Sequence, residues 1–516
     1  MERVMRCGIR SRLLVIIAGF SVIELLLHLY TNMFAGYGIF RDELYYIACS
    51  KRLALGYVDQ PPLSIYILTF SRFLFGDSIF AIRFLPAVAS AFTVFFTGLT
   101  LNELKANTVA VVAASLSLIF SPIFLGMCTI FSMNAFDCLA WSALFYLTAR
   151  LINTDNPKLW IAIGLLMGLG LLNKIDISWF CAGLLIGLLL TSQRKHLATF
   201  WPYLSGLIAL LVFLPYIIWN ATHNFADLEF IRNASALKYA SVTRLDLITG
   251  QILENGPLTL PVWVAGIYFY FFTGIGNKFR LIGLIFLTTF LILFLNGHSK
   301  PEYLSPTITV LFAGGGMMVE KLTEMRYARW TRTAVPVFLL VGGIIGVPAA
   351  LPILPVDTYI KYEKAMGLRP STPEAHHLEE LPQFYADMFG WENMARSVSN
   401  VYTSLPVDEQ KRAIVFAINY GEAGAIDFFK NKYPLPNVIC PHNNFWYWGY
   451  GDTTKDIVIA FGASREDFLK SFSSVTPAAT IQSEYAIPYE NNLPVFICRG
   501  IRVDIKEVWS KIKFFI

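Results

Sequence analysis

LLVIIAGFSVIELLLHLYTNMF (Leu13–Phe34) leads almost directly into FRDELYYIACSKRLALGYVDQPPLS (Phe40–Ser64). The first stretch is apolar and long enough to cross a bilayer, which takes ~20 residues. The second sets Asp42, Glu43 and Asp59 beside Tyr45, Tyr46 and the Pro61–Pro62 step, right where the chain leaves the membrane. Ionisable groups at that depth are costly unless they meet water, a cavity or one another. The pair of stretches therefore predicts a membrane protein with a polar feature at its first loop.

Composition extends this reading. The chain has 516 residues, 55% hydrophobic and 15% charged, with a mean hydropathy of +0.53. A soluble domain carries about 25% charged residues. The apolar excess is concentrated before about residue 350, in runs near 13–34, 79–101, 107–126, 131–150, 158–173, 177–192, 200–220, 256–273, 280–296, 303–320 and 334–351. We expect a polytopic α-helical membrane protein with about eleven transmembrane helices. The weaker amphipathic stretches 43–55 and 63–75 are too short or too polar to cross, and read as helices on the membrane surface. The basic N-terminus, MERVMRCGIRSR, precedes a run too long for a signal-peptide core and without a small-x-small cleavage site, so it reads as a retained first span.

The net charge of +5 is not a nucleic-acid signal. The basic residues fall in short loops: Lys105, Arg150 with Lys158, Arg194 with Lys195, Lys278 with Arg280, and EKLTEMRYARWTR. With the N-terminus in the cytoplasm these loops are all cytoplasmic, as the positive-inside rule asks. Eleven spans then put the tail outside an inner (plasma) membrane. The tail begins after ALPILPVD (Ala350–Asp357). Its β-branched runs RAIVFAINY, PNVIC, DIVIAFG and PVFICRG read as strands, and GEAGAIDFFKNKY and SREDFLKSF as helices. The expected division is a transmembrane domain over 1–353 and an extracytoplasmic α/β domain over 354–516. Cys440 and Cys498 of the tail fit either a disulfide or two buried thiols.

In this orientation the unusual polar residues gather on the outer side: Asp42, Glu43 and Asp59; Asp137 in FSMNAFDCLAW; Lys174 and Asp176 in LLNKIDISW; His223 and Arg232; and His298, Lys300, Glu302 and Tyr303 in NGHSKPEYLSP. Each has a plainer reading. An Asp-Glu pair suits any helix start. Lys174 and Asp176 fit a structural ion pair or headgroup contacts. Lys300 fits a snorkelling lysine, and the tyrosines an interfacial belt. Their convergence from five loops favours a polar cavity. GLLMGLG (Gly164–Gly170) and AGGGMM (Ala313–Met318) read as helix-packing surfaces rather than phosphate loops. HHLEEL (His376–Leu381) lacks zinc spacing. The triplets at Asn220 and Asn233 fit a glycosylation pattern that is common by chance. HNNFWYWGYG (His442–Gly451) suits a packed core as well as a sugar-stacking surface.

Moving a sugar from a polyprenyl-phosphate carrier needs such a set. The acceptor hydroxyl needs a base, for which a carboxylate is suited, and the leaving phosphate needs cations or donors. The Asp-Glu pair after the first span, GYVDQPPL, the lone Asp137, LGLLNK, KPEYLSPTITVLFAGG, INYGEAGAIDFF and LPNVICPHNNFWYWG, in that order, resemble the GT-C glycosyltransferases. The nearest branch is that of bacterial relatives of protein O-mannosyltransferases and lipid A aminoarabinose transferases. The resemblance implies a GT-C bundle, a polyprenyl-phosphate-linked sugar as donor, a hydroxyl acceptor on an envelope lipid, glycan or protein, and inverting transfer. Asp42 would be the base, Glu43 its support, and Asp137 a second acid organising the site. Asp59, Gln60, Lys174, Arg232, Lys300 and Tyr303 would bind substrate. One departure stands out. Where the aminoarabinose branch has a phosphate-contacting lysine before the loop proline, this chain has Gln60, a donor without charge. Lys174, Lys300 or Arg232 would then compensate. No cofactor is expected, and a divalent ion held by the outer acids stays open. A transporter or flippase would share the spans and buried charges, but such folds often show internal repeats, and none is seen here. A scaffold would leave the convergence unexplained.

Overall fold

All the apolar segments expected to cross the membrane form helices in the computed structural model, which describes residues 2–238, 242–372, 374 and 377–516. By length and composition five of them can span a bilayer: Ser11–Phe34, Ile79–Glu103, Met133–Thr154, Trp201–Thr222 and Arg326–Ala349. Two further segments are bent pairs, Thr108–Ile119 with Pro122–Thr129 (57°) and Ile177–Leu190 with Ser192–Ala198 (104°), so among the described residues five segments, or up to seven if each pair is one span, are long and apolar enough to cross, against the eleven expected. Pro122 explains the first bend, because it lacks the N–H that would continue the earlier helix and suits the first turn of a new one. Leu159–Asn173, Pro257–Phe272 and Arg280–Asn296 are shorter apolar helices, and Ser305–Glu324 ends in charged residues.

The chain divides into two compact units. The first comprises Met1–Ala35, Phe75–Ile217 and Ser241–Leu354. Three of its helices start on side-chain caps: Ser78 accepts from the Ala81 N–H, Asn107 from Val109 and Ala110, and Ser132 from Asn134. Each cap satisfies a backbone donor that the helix leaves open. Small residues then let backbones touch. A methyl group built on Gly266 would lie 2.0 Å from the Leu311 carbonyl oxygen, and one on Gly315 would lie 2.0 Å from that of Val262. AGGGMM is thus a packing surface, as its sequence suggests, and Gly164 and Gly168 of GLLMGLG do the same against Ser205 and Ala209.

The second unit joins three segments, Gly36–Leu74, Ile218–Ala240 and Pro355–Ile516. Its sheet holds β1 (Ala413–Phe416), β2 (Val438–Ile439), β3 (Ile457–Ala460), β4 (Phe472–Ile481) and β5 (Leu493–Ile501) in the order β2-β1-β3-β5-β4. β1 is parallel to β2 and β3, and β5 is antiparallel to β3 and β4. The β-branched runs of the tail give four of these strands. β4 is the strand missed. It is a half-exposed edge strand whose register shifts after Pro477, and proline and exposure are both edge features. The core behind the sheet includes Ile414, Val458, Phe468, Phe496 and Trp509. Cys440 and Cys498 are separate buried thiols.

The two stretches read as surface helices also lie in this unit. Leu63–Phe75 leaves Phe70, Phe73 and Leu74 exposed, which suits a membrane-facing helix. Arg41–Ser50 differs: every residue in it is buried except Asp42. It packs against the helix Tyr420–Phe429, with Leu44 set against Gly424.

The glycine contacts yield a test in the first unit. Gly315→Ala forces a methyl group into a backbone carbonyl and is expected to lower the melting temperature and folded yield in detergent. Gly206→Ala, in the exposed interior of Trp201–Thr222 with nothing within 4 Å, is expected to be neutral or stabilising by up to about 1 kcal/mol. Equal losses for the two variants would contradict the packing.

Candidate active site

The helix Arg41–Ser50 is started by Glu43, whose Oε2 accepts the Phe40 N–H at 2.8 Å. Glu43 is fully buried. It therefore holds the helix start while its neighbour Asp42 turns outward with its side chain 40% exposed. Asp42 is held from two sides. The Tyr420 hydroxyl donates to its Oδ1 at 2.8 Å, and the Nε of Arg41 lies 3.5 Å from the same oxygen. Tyr420 is placed by the start of its own helix, where Asn419 and Glu422 form a capping box.

Arg41 is buried and meets several anions. Its guanidinium lies 3.0 Å from Glu374 and 3.6 Å from Asp387, and it donates to the Tyr489 hydroxyl. Its backbone N–H donates to the Asp387 carbonyl at 3.0 Å. Lys238 adds a second cation, 3.5 Å from Glu374 and 5.5 Å from the centre of the Tyr420 ring. The carboxyls respond differently. Burial works to raise Glu374, but Arg41 and Lys238 override it and hold that carboxyl at about 2. For Asp387 burial outweighs Arg41, and the group is pushed up to about 7. Arg41 is thus a fixed, neutralised strut rather than a cation waiting for a substrate.

Asp59 and Gln60 lie in the same unit. The Tyr45 hydroxyl is 2.9 Å from Asp59 Oδ1 and accepts the Asn444 N–H at 3.3 Å. Burial pushes Asp59 up to about 6, with the Tyr45 hydrogen bond opposing. Gln60 is buried, and among the described residues neither its Nε2 nor its Oε1 has a hydrogen-bond partner. An unmatched buried amide costs free energy, so it marks a place where a polar ligand would be favoured. Arg232 is exposed on Ala226–Asn233 and forms no ion pair among the described residues. The cation of this connector that reaches the cluster is Lys238.

In the first unit, Lys174 lies 3.0 Å from Asp176 and 3.5 Å from Asp137, all three buried or nearly so. Its ammonium stands 5.6 Å from the centre of the Tyr303 ring, which meets Trp179 at 6.3 Å. Asn173 fixes this corner by donating to the Met133 carbonyl at 2.8 Å. Lys300 lies 3.8 Å from Glu302. The next residue, Pro301, is pinned by Gln251, which donates to its carbonyl at 2.6 Å, and by the bare face of Gly250. The sequence-predicted residues are therefore grouped as Asp42, Glu43, Asp59 and Gln60 in one unit and Asp137, Lys174, Lys300 and Tyr303 in the other.

Sequence reasoning missed Arg41, Lys238, Glu374, Asp387 and Tyr489. It also missed a buried pair in the first span, where Glu24 lies 3.2 Å from His28 and accepts from Ser90. Their spacing of four residues inside an apolar run is a signal that both face inward. Among the described residues no group of three or more His, Cys, Asp or Glu side chains is arranged to hold a metal; His376 of HHLEEL lies outside them. Asn220 is buried, and the Asn233 amide donates to the Phe515 carbonyl.

Residues 59–219 match a family model described as dolichyl-phosphate-mannose-protein mannosyltransferase. No curated protein matches the chain. Among solved structures the chain is similar to ArnT from Cupriavidus metallidurans in the apo state, at 12% identity and a TM-score of 0.59, covering 94% of this chain and 97% of that one. It matches the same protein bound to undecaprenyl phosphate at 11% identity and 0.60, with the same coverage. The archaeal oligosaccharyltransferase AglB from Archaeoglobus fulgidus, in complex with an inhibitory peptide and a dolichol-phosphate, matches at 12% identity and 0.50, covering 88% of this chain and 69% of that one. These similarities establish the fold: the chain is a multi-pass membrane protein with the fold of the GT-C glycosyltransferases.

The Arg41 cluster predicts a specific pH response. A carboxyl held below its unfolded value stabilises the fold above that value, ordinarily about 4.3, and the contribution is lost as pH falls through it toward the folded value. Glu374→Gln leaves Arg41 short of a buried partner and is expected to cost about 3–5 kcal/mol at pH 7. The gap in melting temperature between wild type and variant should narrow steadily as the pH is lowered from about 5 towards about 3. A gap independent of pH would mean that Glu374 acts through packing rather than charge.

Proposed function

We propose that the chain transfers a sugar from a polyprenyl-phosphate carrier to a hydroxyl acceptor on the outer face of the cell membrane, with Asp42 as the base. The observation that carries this reading is the exposure of Asp42 alone from an otherwise buried helix, aimed by the Tyr420 hydroxyl and Arg41. A carboxylate with that support accepts a proton without reorganising. The acceptor oxygen attacks the anomeric carbon, its proton passes to Asp42, and the bond from that carbon to the phosphate oxygen breaks with its electron pair leaving on the phosphate. The product has inverted configuration.

The other residues take parts that follow from their surroundings. Glu43 positions Asp42 by holding the helix start. Gln60 offers its unmatched amide, and Asp59 a carboxyl that changes charge near pH 6, to the substrate. Lys300, Tyr303 and Arg232 keep the part that the family resemblance gives them, donors for the carrier phosphate. Asp137 and Asp176 fix Lys174, so that lysine supplies field and orientation more than a free charge. The GT-C fold and the lipid phosphates bound by ArnT and AglB support a lipid-linked donor. The N-terminus is placed in the cytoplasm and the tail domain outside on the distribution of basic loops.

The test is mass spectrometry of cell lipids and surface glycans from a deletion strain, complemented with wild type or with Asp42→Asn. Deletion is expected to remove a sugar from a surface product and to leave the carrier-linked sugar accumulating. Wild type should restore the product. Asp42→Asn, inserted normally, should reduce transfer by about 10²–10⁴-fold. Full restoration by Asp42→Asn would remove Asp42 as the base. An unchanged glycan profile in cells that express the gene would favour a transporter or flippase.

A further inference from the structure

A polar cavity of about 470 Å³ opens inside the second unit, away from Asp42. It is lined by the start of the loop after Arg41–Ser50, the end of Tyr420–Phe429, the strands β1 and β2, and the final residues of HNNFWYWGYG. That aromatic segment divides its side chains between two tasks. Trp446 belongs to the core: its indole N–H donates to the Trp509 carbonyl at 2.8 Å, and Trp509 returns a bond to Trp446 at 3.1 Å. Tyr447 packs on Phe515. Trp448 is half-buried and lines the cavity, braced edge-on by Phe445 at 4.6 Å.

Charge around the cavity is unbalanced. Arg52, Lys411, Lys430 and Lys455 line it, against Asp427 and Asp452. Both acids are already engaged. Asp427 pairs with Lys51 at 2.8 Å, and Asp452 accepts from the Thr454 N–H and hydroxyl at 2.9 and 2.8 Å. Arg52 lies over the Trp448 ring, 4.3 Å from its centre, and among the described residues has no carboxylate partner. A guanidinium stacked this way keeps its N–H groups in its own plane, free to grip an oxyanion in a bidentate manner. Lys430 donates to the Asn437 amide oxygen at 2.6 Å. Its pKa is lowered, first by burial and then by Lys51 and Arg52, with Asp427 opposing. Cations crowded together without enough anions create a site that an added anion would relieve.

We propose that this cavity binds an anionic saccharide, a carboxylated or phosphorylated sugar whose acid group sits on Arg52 and Lys430 and whose ring lies against Trp448. The volume is within the ~300–1,000 Å³ usual for small-molecule sites. The aromatic wall and the Asn437 amide suit a sugar ring, which presents both C–H faces and hydroxyls. The cations select the acid. The inference does not depend on the transfer reaction, since it concerns binding alone.

Calorimetric titration of the purified full chain in detergent tests it with four probes: glucuronic acid, glucose 1-phosphate, glucose and inorganic phosphate. The two anionic sugars are expected to bind about tenfold or more tightly than glucose or phosphate. Arg52→Gln with Lys430→Gln should weaken the anionic sugars by a similar factor, and Trp448→Phe should weaken them less. Lys506→Gln, an exposed change elsewhere in the unit, should leave them unchanged. Glucose binding as well as glucuronic acid would overturn the need for charge. Phosphate binding as well as glucose 1-phosphate would reduce the cavity to a simple anion site and overturn the saccharide. Failure of both anionic sugars to bind wild type would overturn the proposal outright, and this result needs no variant to fold.

Discussion

A single buried guanidinium organises the second unit. Arg41 cannot be taken out of water without anions, and it finds them far away in sequence, at Glu374 and Asp387, besides its neighbour Asp42. Isolated buried charge is among the costliest things a fold can contain. Satisfying it fixes the roll of the helix Arg41–Ser50 about its axis. That roll buries Glu43, Leu44 and Tyr45 and leaves Asp42 as the one side chain facing out. The exposure of the candidate base thus follows from where its neighbour's charge has to go.

The first unit solves a similar problem on a smaller scale. Lys174 pairs with Asp176 and Asp137 at a helix junction, and Tyr303 places its ring near the ammonium. The two units share a style of construction in which cations are immobilised by acids before any substrate is considered. Gln60 is the contrast, a buried polar group that the protein itself leaves unmatched.

Much of this was legible in the residues, and the exceptions have physical causes. Each apolar run is helical as expected, because length and hydropathy are local properties. They do not predict the breaks at Ser121 and Thr191, which divide two runs into bent pairs. β1, β2, β3 and β5 are legible as β-branched runs, whereas β4 is an edge strand with most of its side chains exposed. Asp42 and Glu43 look equivalent in FRDEL. Their difference is a matter of helix phase, and the residue at the cap is Phe40, which carries no capping signal. Arg232 stands on the regular helix Ala226–Asn233, and Lys238 lies beyond it. The connector passes into a π-turn over Ala234–Lys238, and such a turn leaves no mark in sequence periodicity. Glu374 and Asp387 lie in a stretch with no motif at all. Tyr420 is the instructive case: it closes the strand run RAIVFAINY and belongs to the family segment INYGEAGAIDFF, and only its contact with Asp42 sets it beside the candidate site.

The second unit is assembled from three separated pieces of chain, and this has a consequence for biosynthesis. Arg41 leaves the ribosome 333 residues before Glu374, the partner that neutralises it. At ~5–20 residues per second, the interval is tens of seconds. During that time the helix carrying Asp42 has neither its ion pairs nor the tail helix it packs on. A nascent or truncated chain would hold its membrane helices without the contacts that aim Asp42, so this corner of the second unit is completed only when the last third of the chain has been made and folded.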